Sequence, residues 1–176
     1  NDPIEVSVAA RNTTAVSVDQ TVCPVEKPKK AAALAQLIQD NNWFQVLVFT
    51  RTKHAANKLT KYLDKNGIHS AAIHGNKSQS QRQRSLDMFK KDKINILVAT
   101  DILSRGIDIK GIELVINYEV PNDAEDYVHR IGRTARAGSE GSALTFLTPD
   151  DKLMWNSINK LIDPNFKSIY GGSRKN

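Results

Sequence analysis

The sequence has one cysteine, no long apolar run and no glycine-rich phosphate loop, and each absence excludes a class of protein. Cys23 stands alone among 176 residues, which rules out a disulfide framework and a cysteine-based metal cluster. No apolar run approaches the ~20 residues that are needed to cross a bilayer. Because a single free thiol fits a reducing compartment, we expect a cytoplasmic protein.

The common catalytic loops are also missing. Neither GxxxxGK(S/T) nor GxGxxG occurs, and the first glycine is Gly67, so this chain alone lacks the usual nucleotide cradle. The GxSxG turn of serine hydrolases is absent as well. The 4 histidines are scattered without the spacing of a zinc site, and we predict no metal site.

Basic residues are in excess over acidic ones. The chain has 25 Lys and Arg against 19 Asp and Glu, for a net charge of +6. Such a balance favours a polyanionic partner, and nucleic acid first. The 40% hydrophobic and 25% charged content are typical of a globular chain, and the length allows one domain with arms.

Apolar runs and helical patterns alternate along the chain with short connections. Runs such as QVLVFT and INILVAT are typical of strands buried on both faces, and periodic segments such as TKHAANKLTKYLDKNG are typical of helices. This alternation predicts a doubly wound, parallel α/β sheet with right-handed crossovers. We expect an arm over residues 1–17, the α/β domain over 18–163 and a flexible basic tail over 164–176.

Polar clusters follow three of the predicted strands. They lie at residues 51–53, 76–82 and 101–108. Because ligands gather at the carboxyl ends of parallel strands, we expect the three clusters to share one edge of the sheet.

The stretch YVHRIGRTARAG places Arg130, Arg133 and Arg136 at a spacing of three, with His129 beside them. Guanidinium groups fit phosphate oxygens, either those of a nucleotide bound mostly elsewhere or those of a nucleic-acid backbone. A solvated basic helix face is the alternative.

The stretch ATDILSRGIDI offers groups for both kinds of phosphate. Thr100 has a hydroxyl suited to a backbone phosphate, Gly106 allows close approach of a ligand, and Asp108 could accept a ribose hydroxyl. The alternative, which the spacing supports equally, is that Asp101 caps the next helical turn and Asp108 pairs with Arg105.

Together, VLVFTRTK, HGNKSQSQRQRSLDMFK, VATDILSRGIDI and YVHRIGRTARAG resemble motifs IV, IVa, V and VI of DEAD-box ATP-dependent RNA helicases. The resemblance covers about residues 17–163 and is to the second, C-terminal RecA-like domain of that family. The residues in and around the motifs most resemble those of the bacterial RhlE-type branch. Motif VI departs from the usual glycine at Ala135, and motif V has Leu103 and Ser104 where smaller residues are usual.

The resemblance implies a RecA-like, P-loop NTPase-type parallel sheet sandwiched by helices, and it assigns roles to residues. Arg133 and Arg136 match the catalytic arginine fingers, and Gly106 and Asp108 match positions that meet the ribose of ATP. His129 and Arg130 match interdomain residues. The positions that match the RNA-backbone side are Thr52, Gly75, Gln79, Arg82 and Thr100.

The resemblance also implies ATP with Mg²⁺, held mainly by an N-terminal RecA-like domain that these residues do not contain, and a monomer that acts on single-stranded or locally duplex RNA. The arm over 1–17 would then be the interdomain linker, and we expect the chain alone to hydrolyse no ATP. A stand-alone basic module that binds RNA or a protein is the competing interpretation. A response-regulator-like or dinucleotide-binding domain would have the architecture but would leave the arginine triplet unexplained.

Overall fold

The computed structural model describes residues 18–101, 109, 111–134 and 141–162. Within these residues the chain forms one six-stranded sheet. The strands are β1 (Asp19–Pro24), β2 (Val46–Thr50), β3 (Ser70–Ile73), β4 (Ile96–Thr100), β5 (Leu114–Asn117) and β6 (Ser142–Leu147). The helices are α1 (Lys30–Asn41), α2 (Lys53–Lys65), α3 (Gln79–Lys90), α4 (Ala124–Ile131) and α5 (Lys152–Ile162).

The strand order is β1-β6-β5-β2-β4-β3, and every pairing is parallel. The predicted parallel α/β fold is therefore confirmed. All five residues of β2 and all five of β4 are buried, which explains why both strands read as continuous apolar runs.

Alternate residues of the strands pack against helices on the two faces of the sheet. On one face, Val46 and Val48 of β2 join the core formed with α1 and α2. On the other face, Leu47 and Phe49 pack with α3. A third cluster packs α4 and α5 beside β6, where the rings of Tyr127 and Trp155 meet edge to face. Because successive side chains of a strand point to opposite faces of the sheet, helices pack on both faces and the domain has three layers.

The helix ends follow the signals in the sequence. Ser78 caps α3 with a complete capping box, in which its hydroxyl accepts from the Gln81 amide and the Gln81 side chain accepts from the Ser78 amide. Asp123 caps α4 by accepting from the Glu125 amide at 2.8 Å. Gly67 follows α2 with a φ of 77°, a conformation that favours glycine. Serine and aspartate at the N-cap and glycine after the last turn are the residue types that helix ends favour.

The arm over residues 1–17 and the tail over 164–176 lie outside the described residues. None of the described helices is both long enough and apolar enough to span a membrane.

Candidate functional site

The carboxyl ends of β2, β4 and β3 lie side by side. Thr50 of β2 is paired in register with Thr100 of β4, and Ala99 of β4 is paired with Ile73 of β3. The residues that follow these strands therefore meet at one edge of the sheet, as predicted for residues 51–53, 76–82 and Asp101. The remainder of the third cluster, residues 102–108, lies outside the described residues.

Thr52 forms the N-cap of α2 at this edge. Its hydroxyl oxygen accepts from the Ala55 amide at 3.0 Å, which leaves the hydroxyl hydrogen available to a ligand. The side chain is exposed. The amino end of α2 adds backbone N–H groups and the positive end of the helix dipole, so the position is suited to an anion.

The loop after β3 is organised around His74. The buried His74 accepts from the Asn76 amide through Nδ1 at 3.2 Å, and its Nε2 contacts Asn57 Oδ1 at 3.0 Å. Burial, together with Lys77 and Lys53, lowers the pKa of His74, which favours the neutral ring that this geometry requires. Lys53 Nζ donates to Asn76 Oδ1 at 3.1 Å and ties this loop to the start of α2.

Gly75 and the Gln79–Arg82 pair complete this side of the edge. A Cβ added to Gly75 would meet nothing within 4 Å, so the backbone there faces open space. Arg82 donates to Gln79 Oε1 at 2.7 Å and to the Lys77 carbonyl at 3.0 Å. These two bonds use part of the five-donor guanidinium and fix its position above the first turn of α3.

Arg130 lies wholly inside the domain, with 0% of its surface exposed. Its Nε and Nη2 donate to the two carboxylate oxygens of Asp101 at 2.6 and 2.8 Å. Its Nη1 donates to Asn117 Oδ1 at 3.1 Å and to the Glu119 carbonyl at 2.6 Å. The guanidinium also lies over the Phe49 ring, 5.3 Å from its centroid. The interdomain role of Arg130 stays a prediction, and within this domain its guanidinium is fully buried.

This ion pair belongs to a polar network that the sequence reasoning missed. Asn117 Nδ2 donates to Thr145 Oγ1 at 3.0 Å, so the network runs from β6 through β5 to α4 and the end of β4. One signal was available: Asn117 is the polar end of an otherwise apolar strand. Asp101, which the sequence suggested as a helix cap, is the bidentate partner of Arg130.

Arg133 lies two residues beyond the last residue of α4. Helix α4 ends at Ile131, and the Arg133 carbonyl accepts from the Ile112 amide, which precedes β5, at 3.0 Å. The Arg133 backbone is therefore near the amino end of β5, and its side chain is half-buried. His129 is exposed and lies 3.9 Å from Asp126. The predicted residues Gly106, Asp108 and Arg136 lie outside the described residues.

A second charged cluster occupies the same sheet edge beside β5 and β6. The Arg51 amide donates to Glu119 Oε1 at 2.7 Å, and the Arg51 guanidinium lies 3.3 Å from Asp151. Lys30 lies over the Tyr118 ring at 5.5 Å. Burial lowers the pKa of Lys30, against the attraction of Asp151 and Glu119, and burial raises the pKa of Tyr118 to about 12.

A model of the helicase conserved C-terminal domain matches residues 29–138. Among curated proteins, the chain is 40% identical over 169 residues to the ATP-dependent RNA helicase DeaD of Haemophilus influenzae, covering 96% of this chain and 28% of DeaD. It is 41% identical over 156 residues to the ATP-dependent RNA helicase DBP2 of Saccharomyces cerevisiae, covering 86% of this chain and 29% of DBP2. The chain thus spans less than a third of these two relatives. They do not confirm the RhlE-type branch, which stays a prediction.

Solved structures agree with this similarity. A DEAD box protein from Methanococcus jannaschii superposes with a TM-score of 0.78 at 37% identity, covering 84% of this chain and 40% of that one. The Escherichia coli DEAD-box protein SrmB, bound to regulator of ribonuclease activity A, gives 0.77 at 31% identity, covering 83% and 86%. Dbp5 of S. cerevisiae, bound to RNA and ADP BeF3, gives 0.75 at 29% identity, covering 82% and 39%.

Proposed function

This chain belongs to the helicase conserved C-terminal domain family, among the DEAD-box RNA helicases, and from that premise we propose a two-sided role for it. As the second RecA-like domain of an ATP-dependent RNA helicase, it binds the sugar-phosphate backbone of RNA at the carboxyl edge of its sheet. It also supplies arginines to ATP held mainly by an N-terminal domain. Closure on both ligands separates a short duplex locally.

The RNA side of the proposal rests on hydrogen-bond donors gathered at one edge. The Thr52 hydroxyl, the amino end of α2 and the Arg82 guanidinium are suited to phosphate oxygens. Gly75 leaves room for a close backbone approach, and Thr100 lies at the adjoining strand end. Such contacts read phosphate and sugar, so we expect binding that depends little on base sequence. The neighbour Dbp5 is described as bound to RNA.

The ATP side of the proposal rests on Arg133 together with residues outside the described ranges. Arg133 and Arg136 would bind the phosphates of ATP, while Gly106 and Asp108 would meet its ribose. Arg133 is half-buried, and its guanidinium has the chemistry that phosphate needs. Bound ATP with Mg²⁺ supplies the phosphoryl group, and the arginines stabilise the charge that develops on it.

One observation carries the proposal: the buried Asp101–Arg130 ion pair joins the end of β4 to α4, the helix that precedes Arg133. Asp101 directly follows Thr100 on the RNA side, and Arg130 precedes Arg133 by three residues on the ATP side. We assign Arg130 as a positioning residue, because its buried guanidinium fixes α4 relative to the end of β4. A movement of the backbone at either proposed site would therefore be transmitted to the other through this ion pair.

The test is RNA-stimulated ATP hydrolysis, measured for this chain alone and for the chain joined in cis to a DEAD-box N-terminal domain. We expect no turnover from the chain alone, and RNA-stimulated turnover with unwinding of a short duplex from the joined protein. Hydrolysis by the chain alone, or a joined protein that binds RNA but never hydrolyses ATP, would contradict the proposal. The second result would favour a basic binding module.

A further inference from the structure

A basic groove lies between the start of α1 and the outer side of α2, and the family motifs do not account for it. It encloses a cavity of about 670 Å³ that opens to solvent. Lysines dominate its wall: Lys27, Lys30, Lys58, Lys61 and Lys65. The acid that lines it, Glu119, already accepts from the Arg51 amide at 2.7 Å. The groove therefore carries a net positive charge.

Three of the lysines form one stripe along α2. Lys58, Lys61 and Lys65 recur at helical spacing, and all three side chains are exposed. Among the described residues, none of the three has an ion pair. Like charges at this spacing repel each other, so the stripe costs stability unless an anion lies against it.

The groove is continuous with the proposed RNA edge. Thr52, the N-cap of α2 and a proposed RNA contact, lines the groove as well. From Thr52 the 13 residues of α2 extend about 20 Å away from the edge, along the sheet face. The half-buried rings of Tyr62 and Tyr118 lie between the lysines. Aromatic rings flanked by lysines are typical of grooves that track single strands.

We propose that this groove is a second RNA-backbone site, which takes the strand after it leaves Thr52 and lengthens the RNA footprint of the domain. The inference rests on the proposed function, because the strand must first lie at the carboxyl edge. Lysine ammonium groups act as mobile point charges, so they bind phosphates without reading the bases. Continuity with the edge favours RNA over an acidic peptide as the occupant.

The test compares the affinity of the 176-residue chain for oligouridine RNAs of about 6 and about 12 nucleotides over a range of salt concentrations. The groove variant is Lys58→Gln with Lys61→Gln, since glutamine keeps the helix propensity of lysine. The matched control is Lys91→Gln with Lys93→Gln. These lysines are exposed near the end of α3, which packs on the other face of the sheet. Both variants lose two positive charges.

We expect the longer RNA to bind the wild-type chain more tightly than the shorter one. The groove variant should lose most of that gain: its affinity for the longer RNA should fall by about tenfold at low salt. For the longer RNA, the slope of log affinity against log salt should become shallower by about 1.4, the value for two phosphate contacts. Its affinity for the shorter RNA should be unchanged, and the control should behave like the wild type.

Equal effects of the two variants on both RNAs would overturn the proposal, since net charge alone would then explain them. Lysine-dependent binding of poly-glutamate, without a lysine-dependent gain for longer RNA, would overturn it in favour of an acidic peptide. Failure of the proposed function is distinguishable, because shorter RNA would then bind independently of Arg82. The groove proposal alone fails if binding of the shorter RNA depends on Arg82 while the extra affinity for the longer RNA does not depend on the groove lysines.

Discussion

Arg130 binds both carboxylate oxygens of Asp101, at 2.6 and 2.8 Å, across 29 residues of sequence. Bidentate geometry in a buried position is the strong form of an ion pair. The Nη1 group of Arg130 donates to Asn117 Oδ1 and to the Glu119 carbonyl. One side chain therefore fixes α4 against the carboxyl ends of β4 and β5. We expect the stability of the domain to depend on it.

Arg130→Ala should lower the free energy of unfolding by about 3 to 5 kcal/mol, because it leaves the acceptors of a buried guanidinium without their donor. Urea denaturation measures the change. Arg84→Ala, on the exposed side of α3, is the control and should stay within about 0.5 kcal/mol of wild type. A loss below about 1 kcal/mol for Arg130→Ala would contradict the claim that this ion pair is important for the stability of the domain.

Arg82→Ala should weaken RNA binding by about threefold to tenfold and reduce the salt slope by about 0.7, the loss of one phosphate contact to a single strand. Fluorescence anisotropy with a short oligouridine checks both values. The loss should be equal for oligocytidine, because phosphate contacts carry no base information. Arg84→Ala, two positions along the same helix, should bind as the wild type does. An equal loss of RNA affinity in both variants would mean that net positive charge, and not a specific contact by Arg82, explains the effect.

Ser78→Ala should destabilise the domain by about 1 kcal/mol through loss of the capping box at α3. Thermal unfolding gives the difference. Ser85→Ala, inside the same helix, serves as the control, because alanine is the better helix former there and should be neutral or slightly stabilising. Equal behaviour of the two variants would mean that the cap contributes nothing to folding.

His74 should make stability fall as the pH is lowered through the ordinary pKa of histidine, near 6.5. Its pKa is lowered in the folded state, chiefly by burial, so below that pH the unfolded chain binds the extra proton. The slope for one such group is at most about 1.4 kcal/mol per pH unit. Urea unfolding at several pH values, compared between wild type and His74→Gln, measures it. A slope that His74→Gln leaves unchanged would show that another group titrates.

Sequence periodicity was enough to predict the sheet, because buried parallel strands and amphipathic helices differ in period and in length. The runs 45–50 and 94–100 contain the central strands β2 and β4, and the polar residues that follow them meet at one edge. The observed caps of α3 and α4 depend on local signals. Ser78 and Asp123 act within three residues of themselves, so no tertiary information was needed.

Contacts between distant residues were not predictable in the same way. The even spacing of Arg130, Arg133 and Arg136 indicated one aligned set, but α4 ends at Ile131. Arg130 lies within that helix and points into the core, whereas Arg133 follows the helix end. Nothing local identifies Asp101 as the partner of Arg130, because pairing depends on how β4 and α4 pack. The lysine groove was missed because its two walls come from different helices.

The most direct test of the account is the rate of RNA-stimulated ATP hydrolysis by the joined two-domain protein, comparing wild type with Arg133→Ala. We expect turnover to fall by about a hundredfold or more while affinity for RNA and for nucleotide is largely kept, as for an arginine that stabilises the transferring phosphoryl group. Arg84→Ala should leave turnover unchanged. Unchanged turnover in Arg133→Ala, or a loss confined to RNA affinity, would contradict the account.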